Sequence, residues 1–110
     1  MPRMHILNTL EREAFDSPPI FTSLQRRQHF DFPVELLQIA GSFRTPANQV
    51  CFLVSCGYFE VTKQFFPSRT FPSRDVAYVA QQLGLVATAV DPSAYDKETL
   101  RRHRDLVRHF

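Results

Sequence analysis

Residues 45–61 read TPANQVCFLVSCGYFEV, and whether they wind or extend decides the fold. Thr45 before Pro46 is a helix-start signal, a hydroxyl able to cap followed by a residue already set for the first turn. Wound at 100° per residue, Val50, Leu53, Val54, Gly57 and Val61 form one apolar stripe, and Phe52, Cys56 and Phe59 form a second on the far side. A helix apolar on both sides belongs between neighbours, at the centre of a bundle. The rival is a pair of strands, because FLVSCGYFEV is rich in β-formers and holds a glycine. The start signal and a stripe that persists over about three turns favour the helix.

The flanking sequence agrees with a helical centre. Prolines punctuate it, and Ser17-Pro18, Thr45-Pro46 and Asp91-Pro92 each join a capping residue to a residue suited to the first turn. A first helix is expected over Asn8 to Asp16, with Glu11 completing a capping box and Leu7, Leu10 and Ala14 on one side. A second covers Ile20 to His29, with Ile20 and Leu24 facing in and Arg26 and Arg27 facing out. A third runs from Pro33 to Ala40, gathers Leu36, Leu37 and Ala40, and stops at Gly41. After the central helix, Lys63 to Pro72 reads KQFFPSRTFP, a loop that must pin itself through its three Phe rings. A fifth helix opens at Ser73, points Val76, Val79, Ala80 and Leu83 inward, and stops at Gly84. Residues 85–94 form a turn longer than that of a compact helix-turn-helix.

The last helix begins near Pro92 or Asp96, two starts that a kink at Tyr95 would reconcile. Its DKETLRRHRDLVRHF places Arg101, Arg104 and Arg108 on one side and Leu100, Val107 and Phe110 on another. Pairs such as Glu98 with Arg102 and Arg101 with Asp105 would settle such a face in water without any ligand. The fold class expected is therefore all-α, a compact bundle of five to six helices in one domain over 1–110, its last two forming a helix-turn-helix-like pair.

Residues 1–95 carry 8 basic and 8 acidic groups and residues 96–110 carry 5 and 3, so the whole net charge of +2 lies in the final helix. That is a modest footprint, suited to one part of a larger polyanion-binding surface. The groups able to meet phosphate or bases are Lys97, Thr99, Arg101, Arg102, His103, Arg104 and Arg108. Arg44, Asn48 and Gln49 offer a second contact at the start of the central helix.

Little else points to chemistry. Cys51 and Cys56, five apart, point about 140° away from each other on a helix, and two unpaired thiols suit a reducing cytosol. His103 and His109 lie six apart, not at the spacing that shares a metal, and His5 and His29 are distant. Three glycines cannot build a phosphate-cradling loop. No apolar run approaches a membrane span, and MPRMHIL lacks the apolar core of a secretion signal. No catalytic residue, metal or cofactor is expected, and the chain reads as cytoplasmic.

Taken in order, several segments resemble the N-terminal domain of the class II, Tn-three family replicative transposases. They are Met1-Pro2-Arg3, Ile6-Leu7 and Glu11-Arg12; then Ala47, Asn48, Phe52 and Cys56; then Val79-Ala80-Gln81-Gln82-Leu83-Gly84 and Tyr95. Last comes a T-x-x-R-H-R-x-x-I-R pattern met by Thr99, Arg102, His103, Arg104 and Arg108, with Val107 in the Ile place. Gln49 stands where Arg is common in the family. The resemblance implies a DNA-binding region that recognises terminal inverted repeats in double-stranded DNA and works with the remaining domains of the transposase, whose catalytic core lies downstream. The family continues past the final helix, so an end at Phe110 implies a fragment of a longer protein. Two alternatives compete: a helical module for transposase assembly through exposed Phe65, Phe66 and Phe71, or a fragment that inhibits transposition by occupying the ends.

Overall fold

The computed structural model describes residues 18–109, without the side chains of Lys97 and His109. These residues form an all-α bundle: α1 (Ser23–His29), α2 (Val34–Gly41), α3 (Pro46–Thr62), α4 (Ser73–Gln82) and α5 (Lys97–His109), with short 3-10 turns at Ser68–Thr70, Ala87–Ala89 and Pro92–Ala94. The expected first helix, Asn8 to Asp16, lies outside the described residues.

The central stretch is helical, and it starts as its sequence predicts. Thr45 Oγ1 accepts the Asn48 N–H at 3.1 Å, and Pro46 opens the first turn. Val50, Cys51, Phe52, Leu53, Val54 and Tyr58 are fully buried, because α1, α2, α4 and α5 all pack on α3. Each such side chain contributes about 1.5–3 kcal/mol, which makes this helix the core around which the rest assembles. Val61 departs from the expected stripe at 44% exposed. The helix is ending there: Lys63 adopts φ 59°, its N–H bonds to the Phe59 carbonyl at 2.8 Å, and Thr62 Oγ1 donates to the Tyr58 carbonyl at 2.9 Å.

α1 is the element the sequence misreads. Ile20 and Leu24 are 90% and 57% exposed, and no residue within the helix is buried. Thr22 and Gln25 form a reciprocal capping box that fixes where the helix begins. The helix docks through the rings that flank it, Phe21 and Phe30, both buried. It docks also through Arg26, which turns inward: its Nε lies 2.7 Å from Asp75 Oδ1 and its Nη2 donates to the Phe21 carbonyl at 3.1 Å. Asp75 is 1% exposed and also accepts the Tyr58 hydroxyl, so α1, α3 and α4 meet at one carboxylate. Arg27 is exposed as expected. Gly57 completes the joint, since a Cβ there would overlap the Phe30 ring.

α2 buries Leu36 and Ala40 and half-buries Leu37. Gly41 is its last residue and not a left-handed stop, Ser42 closing the helix in the right-handed region. Gly84, by contrast, does end α4: it takes φ 73°, and Leu85 donates its N–H to the Ala80 carbonyl at 2.8 Å. Both expected starts of the last segment are used. Asp91 accepts the Ser93 N–H and opens the 3-10 turn, and Asp96 accepts the Thr99 N–H at 2.9 Å and caps α5 beyond Tyr95. α4 and α5 each pack chiefly on α3, so the last two helices are joined mainly through the central one.

Candidate nucleic-acid interface

α5 divides into two faces at the spacing of its sequence. Thr99, His103 and Val107 form the packed side, with Leu100 half-buried beside them, and Arg101, Arg102, Arg104 and Arg108 are exposed. Two expected contacts therefore do not face solvent: Thr99 is 7% and His103 8% exposed. Steps of four from Thr99 through His103 to Val107 keep both on the core side. The His103 ring stacks on Phe43, centroids 4.3 Å apart and 13° from parallel, and stands edge-on to Phe52. Its Nδ1 and the Tyr95 hydroxyl share a hydrogen bond of 2.9 Å. Burial, and secondarily the Arg102 charge, lowers its pKa below the usual 6.5, so near neutral pH it is an uncharged core side chain. Arg102 reaches back toward Thr99 Oγ1 at 3.4 Å.

Arg104 and Arg108 have a shared support. The guanidinium carbons of Arg104 and Arg108 each lie 5.6 Å from the centroid of the Phe65 ring. Phe65 stacks in turn on Phe59 at 4.8 Å, and Lys63 lies over Phe59. Cation–π contacts of this kind hold a long side chain in place while leaving its donors in water. Beside them runs an open groove of about 560 Å³, lined among others by Phe65, Arg69, Tyr95, Asp96, Arg101 and Arg104. The sequence reading passed over Arg69, and it named Phe65 only as a ring pinning the loop or exposed for assembly, not as a support for arginine. The available signal was a single long cation, between Ser68 and Thr70, in a loop that its prolines and phenylalanines must hold rigid.

Arg44 is exposed and Asn48 half-buried at the start of α3. Gln49 is occupied, its Nε2 donating to the Phe43 carbonyl at 2.8 Å. None of these three lines the groove. Lys97 opens α5, and its side chain lies outside what is described.

Phe66 and Phe71 are buried at 4% and 8% exposed and Phe65 is half-buried, Phe66 and Phe71 standing edge-on to Tyr58. The loop is pinned as expected, and its rings do not form the exposed surface that the assembly-module alternative requires. Burial pushes the thiols of Cys51 and Cys56 up to about 12. Among the described residues no three His, Cys, Asp or Glu gather as a metal site would need, and no helix is long and apolar enough to cross a membrane.

A family model described as "Domain of unknown function (DUF4158)" matches residues 6–110. The chain belongs to the DUF4158 family. No curated protein and no solved structure matches it. The DUF4158 match takes in α1 to α5, and with them the groove and every arginine that borders it.

Proposed function

We propose that this DUF4158 chain is the DNA-binding region of a Tn-three family replicative transposase, docking the outer side of α5 on the duplex of the terminal inverted repeats and performing no catalytic step itself. The family supports the setting, since this domain is found in Tn-three family transposases. The observation that carries the reading is the row Arg101, Arg104 and Arg108, exposed along α5 with two of its guanidinium groups laid over one aromatic ring. Guanidinium forks match phosphate oxygens in geometry, and a supported side chain loses less freedom on binding than a free one.

The modest charge fits a contact that is one part of a larger surface, the rest coming from the remaining domains of the transposase. Three neutralised phosphates give a slope of log K against log salt near about −3 on duplex DNA. Fluorescence anisotropy of the protein on a labelled duplex carrying its element's inverted repeat, across about 50 to 200 mM salt, measures it directly. Affinity that does not respond to salt, or no preference for that repeat over a scrambled duplex, defeats the reading.

A further inference from the structure

Arg69 lines the same groove as Arg101 and Arg104, from an element distant in sequence from α5. The turn that carries it is unusually well anchored for a loop. Ser68 Oγ lies between the carbonyls of Pro92 and of Tyr95, the latter at 3.0 Å, and its single hydroxyl proton serves the two of them, while Thr70 Oγ1 donates to the Pro67 carbonyl at 2.6 Å. Phe66 and Ser68 before Arg69 and Phe71 after it are buried, whereas Arg69 itself is exposed. The partners of Ser68 belong to the segment that leads directly into α5, so the two walls of the groove are fastened to each other. Asp96, the carboxylate on the groove, is engaged at the helix start by the Thr99 N–H, and that bond lowers its pKa.

Three arginines converging from two elements on one open groove repel one another in the absence of an anion. Each is exposed, so the arrangement costs little when empty, and it favours a ligand that presents several negative charges in a row. The DNA backbone is such a ligand, since it offers a separate phosphate to each wall.

We propose that the 68–70 turn is the second wall of the DNA interface, with Arg69 binding a backbone phosphate opposite the one or two held by Arg101 and Arg104. This rests on the DNA-binding reading above and extends it from a single helix to a two-sided cradle. Phosphates held on two separate elements fix the rotation of α5 on the duplex, which a lone helix face does not.

The test is the salt dependence of binding to the labelled inverted-repeat duplex for the wild-type protein, Arg69→Ala, Arg69→Lys and Arg74→Ala. Arg74 is an exposed arginine of α4 that does not line the groove, and it serves as the charge control. Arg69→Ala is expected to flatten the slope by about 0.9 and to weaken binding roughly eightfold at ~0.1 M salt, the effect of one phosphate no longer neutralised. Arg69→Lys should keep the slope, and Arg74→Ala should change neither quantity. If Arg69→Ala behaves as Arg74→Ala while the wild type keeps its slope near −3, the second wall does not exist and the α5 contact stands alone. A wild-type protein that binds without salt dependence removes both proposals together.

Discussion

His103 shows how one side chain can be read in two ways. In the string Arg101-Arg102-His103-Arg104 it looks like a fourth cation, yet it lies in the core between Phe43, Phe52 and Tyr95. Because its folded pKa lies below the usual 6.5, an unfolded chain binds more protons than the folded one in the window between the two values. Stability is therefore complete above about pH 6.5 and declines as the pH falls through the folded value. Thermal unfolding followed from pH 8 to pH 5 should show a falling midpoint in the wild type, and His103→Gln should remove part of that dependence while unfolding at a lower temperature throughout. An unchanged pH profile would mean that the imidazole is not buried neutral. Asp75 contributes to stability in another way, as a buried carboxylate at which Arg26 and Tyr58 both point. Asp75→Ala leaves a guanidinium and a hydroxyl without their partner at a site 1% exposed, and removing one member of such a pair costs about 3–5 kcal/mol. Urea unfolding should register this as a large fall in midpoint, and a change below about 1 kcal/mol would show the pair to be dispensable.

The helices themselves were largely legible from punctuation. Thr45-Pro46, Asp96 and Gly84 each do locally what such residues do in isolation, through a capping hydroxyl, a capping carboxylate and a left-handed stop. What the sequence does not carry is contact between residues far apart along it. Arg26 and Asp75 are separated by 49 positions, and nothing near Arg26 distinguishes it from the exposed Arg27. The same holds for Gly57, which reads as one more member of an apolar stripe but is the only residue small enough to admit the Phe30 ring. Gly57→Ala gains about 1 kcal/mol of helix propensity yet must displace a fully buried ring, a clash that costs about 1–3 kcal/mol. A net loss near 1 kcal/mol is expected in urea unfolding, and a stabilised variant would show that α1 can shift on α3 freely. The role of Phe65 under the arginines was hidden for the same reason, since Arg104 and Arg108 lie some forty residues on. Phe65→Leu should weaken duplex binding while leaving the salt slope unchanged, and Phe65→Tyr should restore it. A slope altered by Phe65→Leu would mean that the ring does more than hold the arginines still.

The molecule as a whole assigns its stability and its charge to different sides of the same helix. Thr99, His103 and Val107 tie α5 to the core, and Arg101, Arg104 and Arg108 lie outside it. Since the net charge of +2 resides in the last fifteen residues, removing three arginines there reverses the sign of the chain without touching the packed face. Alanine is the strongest helix former, so the triple variant Arg101→Ala, Arg104→Ala, Arg108→Ala should keep the helical circular dichroism signal and unfold within about 1 kcal/mol of the wild type, exposed substitutions of this kind being nearly neutral. Its binding to the inverted-repeat duplex should nevertheless lose most of its salt dependence, leaving a slope no steeper than about −1 from the single phosphate assigned to Arg69. A triple variant that binds as the wild type does would place the DNA contact elsewhere. One that unfolds would show the outer arginines to be structural, held by the Phe65 ring for the sake of the bundle and not for a ligand.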